Sequence, residues 1–379
     1  MQCNKNIPEL RFPEFKEEWE EKKLSQIIYK AKAGGTPKSS IKEYYNGNIP
    51  FLSINDMTNE GKYITYTEKS ITEKGLKNSS AWLVPEKSLL YSMYASVGFV
   101  SINNIPLTTS QAIFNIIFKE QVSLEFMYYY LTFYKRYIHK YIETGTQGNL
   151  NAKLIKNFKI KIPSKEEQEK IANFLTCIDQ KIELMEKEIN KQSKYMKKIR
   201  ENILNDNSDN SNKVQLKEIC IINKGKQLNK TNMINDGKYY VLNGGKTPSG
   251  FTNSWNVPEN TISISEGGNS CGFVNYNVQK FYCGGHCYYL TNISDEIDPL
   301  LLYHCLKMNE NKIMNLRVGS GLPNIQKKDL EKYKLYIPTK NHEKITYLLN
   351  NINLKIDLNK EKLNHLKQFK KGLLQKMFC

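Results

Sequence analysis

A cysteine and histidine group in the second half of the chain has the residue types of a metal site. Cys283, His286 and Cys287 lie within five residues, and Cys271 lies upstream. Zinc sites favour two Cys-x2-4-Cys pairs, whereas this group offers one such pair without a clean second one. The matching stretch of an internal repeat, residues 109–113, contains neither cysteine nor histidine. We therefore expect ordinary strand residues here and no metal in this chain, with a zinc site as the alternative.

Several cofactor-binding and catalytic signatures fail when they are compared with the sequence residue by residue. Gly244–Thr247 resembles the end of a phosphate-binding P-loop, but Tyr240 stands where the loop's first glycine should be. His342 and Glu343 begin a zinc-protease motif, but Thr346 occupies the position of its second histidine. The sequence has no Pro-Pro pair, so the Asn-Pro-Pro-aromatic signature of amino-methyltransferases is missing, and so is a G-x-G-x-x-G loop. We expect a non-catalytic chain that holds no cofactor of its own.

Composition indicates a globular protein with a polyanionic partner. The 379 residues suit two or three domains, and 40% hydrophobic residues can form sizeable cores. Lysine and arginine exceed aspartate and glutamate by 55 to 38, a net charge of +17, which points to nucleic acid as the commonest polyanion. The eight cysteines are scattered, and no apolar stretch approaches the roughly 20 residues that cross a bilayer. A cytoplasmic protein without membrane contact is the expectation.

The sequence contains an internal repeat. The segment IPSKEEQEKIANFL, beginning at Ile162, recurs as IPTKNHEKITYLL from Ile337, and after a one-residue gap the offset is 174. The same offset pairs Gly98–Val100 with Gly272–Val274. Towards the beginning of each copy the offset widens to 192, because the first copy carries extra residues around positions 55–75. The order is therefore globule, helix, globule, helix.

Each copy ends in a segment whose apolar positions step by four and three, which is typical of a heptad seam. The seam of the first segment comprises Ile171, Leu175, Ile178, Ile182, Met185, Ile189, Met196 and Ile199. The seam of the second comprises Ile345, Leu349, Ile352, Ile356, Leu363, Leu366 and Leu373. Gln192, Asn359 and Lys370 also fall on seam positions, and an asparagine in a seam often fixes the register. Two matched heptad helices in one chain predict an intramolecular antiparallel coiled coil; the alternative is two amphipathic helices, each buried on its own domain.

Short alternating apolar runs, punctuated by Gly, Pro and Asn, precede each helix and predict mixed globules. The predicted fold class is α+β, with two pseudo-repeated globules of mixed structure and two long helices that form an antiparallel coiled coil. A polar, low-complexity run connects the copies and reads as a linker. The predicted boundaries are 1–161 for the first globule, 162–204 for the first helix, 205–212 for the linker, 213–336 for the second globule and 337–379 for the second helix.

Hydroxyl, amide and basic side chains cluster beside glycines in both copies. Glycine permits close backbone approach, and Gln, Asn, Ser and Lys can bond base edges or phosphates. Each residue alone is a common turn residue, but the mirrored sets favour a surface that binds something extended. In the first copy the candidate DNA-binding residues are Lys32, Gly34, Gly35, Thr36, Lys38, Ser92, Tyr94, Ser96, Thr109, Ser110, Gln111, Gln147 and Asn149. In the second copy they are Lys224, Lys226, Gln227, Asn243, Lys246, Glu266, Asn269, Ser270, Arg317 and Asn324.

Nearly the whole chain resembles the specificity subunit of type I restriction-modification systems. The residues that carry the resemblance are Trp19, Lys23-Leu24, Gly34–Pro37, Ile49–Leu52, Gly98, and the Ile162-Pro163 that leads into Gln168–Ala172. The phrase IPSKEEQEKIANFL followed by a heptad helix is its most specific part. The second copy departs from the pattern, because Lys224–Gln227 replaces the Gly-Gly-Thr-Pro turn.

The resemblance implies a division of labour between this chain and its partners. Each globule would be a target recognition domain that reads one half of a bipartite double-stranded DNA sequence. The helices would set the spacer and dock two modification methyltransferase subunits, which bring S-adenosylmethionine. A restriction subunit, a translocase and nuclease, would bring ATP and Mg²⁺. The alternatives are a specificity subunit of a related type II-like enzyme, a coiled-coil scaffold that does not bind DNA, and a stand-alone nuclease or methyltransferase.

Overall fold

The computed structural model describes residues 6–140, 150–204, 211–319, 321, 323–339 and 341–378. Contacts divide the chain into two compact units. Unit 1 comprises Met1–Leu184 and Leu363–Cys379, and unit 2 comprises Met185–Lys362. Each unit therefore contains one globule and a part of each long helix. None of the described helices is both long enough and apolar enough to cross a bilayer.

Unit 1 is built from three small sheets and the helices that cover them. Its strands are β1 (Glu20–Lys23), β2 (Ile28–Ala33), β3 (Tyr45–Leu52), β4 (Tyr63–Ile64), β5 (Lys69–Ile71), β6 (Leu89–Ser92), β7 (Val100–Asn103), β8 (Thr108–Thr109), β9 (Ile113–Phe118) and β10 (Lys159–Ile162). Its helices are α1 (Leu24–Ile27), α2 (Ile54–Glu60), α3 (Glu73–Lys77), α4 (Leu124–Tyr134), α5 (Ala152–Lys156) and the first half of α6 (Lys165–Leu204), with 3-10 turns at Lys42–Tyr44 and Lys135–Lys140. The strand orders are β2-β9-β6-β7-β4, β5-β3-β8 and β1-β10.

In its described residues, unit 2 repeats this architecture with one strand fewer in its largest sheet. Its strands are β11 (Ser211–Gln215), β12 (Ile221–Lys224), β13 (Tyr239–Leu242), β14 (Gly250–Thr252), β15 (Thr261–Ser265), β16 (Val274–Asn277), β17 (Tyr282–Cys283), β18 (Cys287–Thr291) and β19 (Lys334–Pro338). Its helices are α7 (Leu216–Ile219), α8 (Pro299–Met308), α9 (Glu310–Met314), α10 (Lys327–Glu331) and most of α11 (His342–Lys376), with 3-10 turns at Lys230–Asn232 and Gly268–Ser270. The strand orders are β12-β18-β15-β16, β14-β13-β17 and β11-β19.

The strand registers show that the repeat is structural. Ala33 pairs with Phe114 in unit 1, and Lys224 pairs with Tyr288 in unit 2. Phe114 and Tyr288 are related by the offset of 174 found in the sequence. The extra strand of unit 1 is β4, which comes from the insertion around positions 55–75 and pairs in parallel with β7. The predicted α+β class with two repeated globules is confirmed.

The long helices begin later than the sequence suggests. Ile162 ends β10, and α6 begins at Lys165; Ile337 lies within β19, and α11 begins at His342. The cause is Pro163 and Pro338, since a proline keeps the residue before it extended and removes a backbone donor. The linker also ends earlier than the predicted boundary at position 212, because β11 begins at Ser211. Positions 205–210 of that linker lie outside the described residues.

The predicted seam positions of both helices are buried or half-buried, and most residues between them are exposed. In unit 1 the seam joins the globule core, and Asp179 on α6 forms an ion pair of 2.5 Å with Lys370 on α11. In unit 2 the amide of Asn359 donates to Gln192 at 3.1 Å. Arg200, eight residues after Gln192, lies 3.4 Å from Asn353, which precedes Asn359. The two helices are therefore antiparallel in unit 2, and the two polar seam residues bond to each other.

A half-buried arginine fastens α6 to the second globule. Arg200 donates from Nε to Nδ1 of His304 at 3.3 Å, and its guanidinium lies 5.9 Å from the ring of Tyr303. His304 is fully buried on α8, which begins at an Asp298 cap with Pro299 in its first turn. Burial first, and then the charge of Arg200, lower the pKa of His304 to about 3. The imidazole is therefore neutral in the folded chain and serves as an acceptor for Arg200.

This arrangement predicts a pH-dependent loss of stability in unit 2. A histidine whose pKa is lower in the folded state contributes stability that is present above the unfolded value and lost as pH falls through the window from about 6.5 to about 3. Between pH 7.5 and pH 5, the free energy of unfolding of the native chain should fall by about 2 kcal/mol more than that of His304→Gln. The glutamine keeps a hydrogen-bond acceptor for Arg200 but cannot take up the proton. Hydrogen exchange of the α8 amides measures this difference. The matched control is His286→Gln, at an exposed histidine, and it should lose as much stability between pH 7.5 and pH 5 as the native chain does. If His304→Gln also lost as much stability as the native chain, the role of His304 as a buried neutral acceptor would be contradicted.

Candidate nucleic-acid interface

In unit 1 three of the predicted loops meet at one end of the largest sheet. The amide of Gly34 donates to the carbonyl of Ile113 at 2.9 Å, and that of Gly35 donates to Thr109 at 2.9 Å. The amide of Met93 donates to the carbonyl of Ala112 at 2.8 Å. A Cβ added to Gly34 would collide with the carbonyl oxygen of Thr109, so only glycine permits this approach. The loops after β2, β6 and β8 thus form one surface.

Six of the predicted residues of unit 1 expose their side chains on or beside these loops. They are Lys32, Thr36, Lys38, Tyr94, Ser96 and Gln111. The hydroxyl of Thr36 donates to the side-chain oxygen of Gln111, so the first and third loops are joined through side chains as well. The ammonium of Lys32 lies 3.4 Å from the carbonyl of Ser80. Gln147 and Asn149 lie outside the described residues.

The other predicted residues of unit 1 support the loops from below. Ser92 and Thr109 are fully buried, as are the backbones of Gly34 and Gly35, while Ser110 is half-buried. The hydroxyl of Ser92 donates to the carbonyl of Tyr94 at 2.7 Å, and Thr109 shares hydrogen bonds with the amide of Asn115. These hydroxyls are satisfied within the protein. In this structure they hold the loops in place and are not presented to a ligand.

Unit 2 contains the same loop geometry with different residues. The amide of Gly225 donates to the carbonyl of Cys287, and that of Lys226 donates to Cys283, both at 2.9 Å. Cys287 and Cys283 correspond to Ile113 and Thr109 at the repeat offset of 174. A Cβ on Gly225 would again collide with a carbonyl oxygen, here that of Gly284. The turn that the sequence of the second copy lacks is therefore present in its backbone.

Glu266 holds two loops of unit 2 together. It is 7% exposed; its carboxylate accepts from Lys224 at 2.7 Å and from the hydroxyl of Tyr288 at 3.2 Å. Its backbone carbonyl accepts from the amide of Ile325, at the end of the loop that contains Arg317. The Glu266 side chain is thus engaged inside the globule, and it positions the loops that carry the exposed residues around it.

The remaining predicted residues of unit 2 are exposed or half-buried. Lys224, Lys226, Gln227, Lys246, Asn269 and Arg317 are exposed, and Asn243, Ser270 and Asn324 are half-buried. The side-chain oxygen of Asn243 accepts from the amide of His286 at 3.2 Å, and that of Asn324 accepts from Gln326 at 2.9 Å. The exposed set contains four cations and no acidic residue, so its local charge is positive.

The cysteine and histidine group lies in this region, within β17, β18 and the turn between them. Cys283 and Cys287 are buried, and His286 is exposed. A hydrogen bond with Cys287 first, and then burial, raise the pKa of the Cys283 thiol, which favours the protonated form. In the part of the chain that the structure describes, no group of three or more His, Cys, Asp or Glu side chains is arranged to hold a metal ion.

Sequence reasoning missed a lysine–tryptophan pair in each unit. The ammonium of Lys30 lies 4.9 Å from the ring of Trp82, whose indole N–H donates to the carbonyl of Ala33, next to Gly34. The ammonium of Lys280 lies 4.6 Å from the ring of Trp255, which is 44% exposed. Trp82 and Trp255 are related by the offset of 173 that also relates Val84 to Val257. That recurrence was the available signal.

Comparison with known proteins identifies the family. Residues 16–192 and 208–368 match the model of the type I restriction modification DNA specificity domain. The chain is 37% identical over 176 residues to the type I restriction enzyme MjaIX specificity subunit of Methanocaldococcus jannaschii, covering 45% of this chain and 40% of that protein. It is 36% identical over 156 residues to the HindI specificity subunit of Haemophilus influenzae, covering 39% and 32%. These alignments span less than half of the relatives' length.

A solved structure supports the fold. The type I restriction-modification S subunit from M. genitalium matches 98% of this chain and 99% of its own, with a TM-score of 0.70 at 19% identity. The two family matches together cover most of the sequence, one in each copy of the repeat. This chain therefore belongs to the type I restriction modification DNA specificity domain family.

Proposed function

We propose that this chain is the DNA-recognition subunit of a type I restriction-modification complex and that each globule reads one half of a bipartite double-stranded target. The observation that carries the proposal is that the loops of the two units have the same backbone arrangement but different side chains. Gly34-Gly35 and Gly225-Lys226 make equivalent backbone hydrogen bonds. Because Gly35 and Lys226 are equivalent by these bonds, the next residues, Thr36 and Gln227, also correspond; at the offset of 174, Gln111 corresponds to Gly285. Loops with the same backbone arrangement but different exposed hydrogen-bond donors and acceptors suit two half-sites of different sequence.

The charge of the loops supports binding to the phosphate backbone. Lys32 and Lys38 are exposed in unit 1, and Lys226, Lys246 and Arg317 are exposed in unit 2. Phosphate contacts position a protein on the duplex, whereas base-edge contacts specify the sequence. We assign the lysines to the first task, and exposed amides such as Gln111 and Asn269 to the second. The Lys30–Trp82 and Lys280–Trp255 pairs add an aromatic face beside each cationic one.

We further propose that the helices set the spacer and dock two modification methyltransferase subunits, one per repeat. Exposed apolar residues recur on the helices at the offset of 174: Leu184 with Leu358, and Tyr195 with Phe369. Their exposed fractions are 66%, 50%, 63% and 56%. In unit 1, the contact of Asp179 with Lys370 fixes the register and brings Leu184 to within about one turn of the level of Phe369.

In unit 2, the contact of Gln192 with Asn359 fixes the register and brings Tyr195 to within about one turn of the level of Leu358. Each unit therefore has a Leu–aromatic pair made from both helices, and one kind of partner can use both pairs. Basic residues flank them: Lys194, Lys197 and Lys198 on α6, and Lys367 and Lys371 on α11. In this scheme S-adenosylmethionine belongs to the methyltransferase partners, and ATP and Mg²⁺ belong to a restriction subunit. Methyl transfer and cleavage are then reactions of the partners, within the cytoplasm.

The assembled complex should separate the two kinds of DNA contact. Lys32→Gln and Lys38→Gln should weaken binding to all sequences alike, and each should reduce the slope of log affinity against log salt by about one. Gln111→Ala should instead cost about 1–3 kcal/mol at one base position and change which half-site is preferred. Titration of labelled duplexes at several salt concentrations measures both effects.

The matched control is Lys119→Gln. Lys119 is exposed, but it follows the far end of β9, six strand residues from Ile113, or about 20 Å along the strand. It should leave both affinity and salt slope unchanged. A salt slope near zero for the native complex would contradict the proposed electrostatic binding.

The docking proposal predicts a stepwise loss of partners. Leu184→Glu should remove one methyltransferase subunit and leave the other, because burying a leucine side chain contributes about 1.5–3 kcal/mol and a carboxylate opposes the same burial. Leu184→Glu with Leu358→Glu should remove both. Native mass spectrometry of the co-expressed complex counts the subunits. Asn190→Glu, an exposed change on the other flank of α6, is the control; a native assembly with a single methyltransferase subunit would contradict the proposal.

A further inference from the structure

The insertion that distinguishes the first repeat places a buried cation against the long helices. Lys62 follows α2 and directly precedes β4, a strand that has no counterpart among the described residues of unit 2. Its side chain is 12% exposed, although lysine is among the residues least often buried. A charged group is retained in such a position only when partners compensate for its lost hydration. The surroundings of Lys62 therefore indicate what the insertion does.

Lys62 is held by the globule on one side and by α6 on the other. Its ammonium forms an ion pair of 2.7 Å with Glu125 at the start of α4. It donates to the hydroxyl of Tyr129 on α4 at 2.9 Å and to the hydroxyl of Thr176 on α6 at 3.3 Å. It also lies 4.9 Å and 4.4 Å from the ring centres of Tyr128 and Tyr129, within the range of cation–π attraction.

The contacts continue from Lys62 to the second helix. The hydroxyl of Tyr129 donates to Asp179 of α6 at 2.7 Å, and Asp179 forms its ion pair of 2.5 Å with Lys370 of α11. The order is carboxylate, ammonium, phenol, carboxylate and ammonium, so each group faces one of opposite or complementary character. The chain of contacts crosses from the globule through α6 to the seam of α11, entirely within unit 1.

Unit 2 makes a comparable connection without an insertion. At the offset of 174, Tyr303 corresponds to Tyr129 and Asn353 to Asp179. The cation there is Arg200, which comes from α6 itself and contacts both Tyr303 and Asn353. Lys62 in unit 1 and Arg200 in unit 2 are not related by the repeat. Each thus supplies a cation between a globule helix, α4 or α8, and the long helices. The recurrence of this contact with a different donor indicates a requirement at the junction, beyond the packing of one particular loop.

We infer that Lys62 is a positioning residue, and that the insertion fastens the first globule to the helix pair in one orientation, which determines the spacing at which the first half-site can be read. The inference rests on the proposed function for its DNA readout. Its physical part, the fastening of α4 to α6 and α11, stands on the contacts of Lys62 alone. Replacing an ion pair of this kind by apolar packing is often neutral for net stability, so the role inferred for Lys62 is to fix one arrangement.

The test compares Lys62→Met, which keeps the length of the side chain without its charge, with Lys62→Arg and with the control Lys69→Met. Lys69 is an exposed lysine of the same insertion, on β5. The readout is the ratio of affinities of the assembled complex for duplexes with the native spacer and with one base pair more or fewer. A merely weakened globule lowers all affinities by one factor and leaves this ratio unchanged. Lys62→Met should lower the ratio about tenfold, Lys62→Arg should restore it, and Lys69→Met should leave it at the native value.

Hydrogen exchange provides a readout that needs no DNA. Lys62→Met should speed amide exchange in residues 172–183 of α6 and in α4 by several-fold, and Lys69→Met should not. If the native complex binds duplexes of all three spacer lengths with equal affinity, the proposed function is wrong. Amide exchange alone then decides whether the insertion fastens the globule to the helices. Unchanged exchange in Lys62→Met would overturn the inference. So would a fall of about one in the salt slope with an unchanged spacing ratio, because Lys62 would then be a phosphate contact.

Discussion

Each unit depends on its larger hydrophobic core, which the globule and the long helices share. In unit 1, Ile171 and Leu175 of α6 belong to the same cluster as Trp19 and Phe126 of the globule. Phe378, just beyond the end of α11, contributes a ring that contacts those of Trp19 and Phe126. An isolated pair of helices with so many charged residues would have little apolar surface to bury. The helices are therefore stable as extensions of the globule cores.

Polar contacts then select one arrangement of these shared cores. Only four arginines occur in the chain, and two of them are half-buried, one against α6 and one within it. Arg11 forms two hydrogen bonds of 2.7 Å with Glu167, which also accepts from the indole of Trp19. Arg200 contacts His304 near the other end of the helix. Removing either partner of the Arg11–Glu167 ion pair costs about 3–5 kcal/mol, because the other charge is left without compensation. The arginines thus fix where each globule sits on its part of the helix.

The sequence predicts the periodic and repeated parts of the molecule well. The four-and-three spacing from Ile171 onward and the offset of 174 follow directly from the residues, and the repeated α+β fold is confirmed. The site is less accessible to such reasoning. Nothing in the sequence distinguishes Glu266, buried against Lys224, from the exposed Asn269 three residues later. The recurrence of Trp82 as Trp255 is visible in the sequence, but its contact with Lys30 is not, because the two residues are far apart in the chain. The DNA contacts themselves stay a prediction.

The central claim is that paired helices of fixed length set the spacing of a bipartite target. Seven residues inserted after Leu184 in α6 and after Lys362 in α11, where the two units divide, keep both seams in phase. The insertion adds about 10 Å at 1.5 Å per residue, or about three base pairs at 3.4 Å each. The measurement is methylome sequencing of a strain that carries the lengthened chain with its methyltransferase partner. The account predicts two unchanged half-sites separated by a longer unread spacer. Altered half-sites, or a native target that is one continuous run of bases, would contradict it.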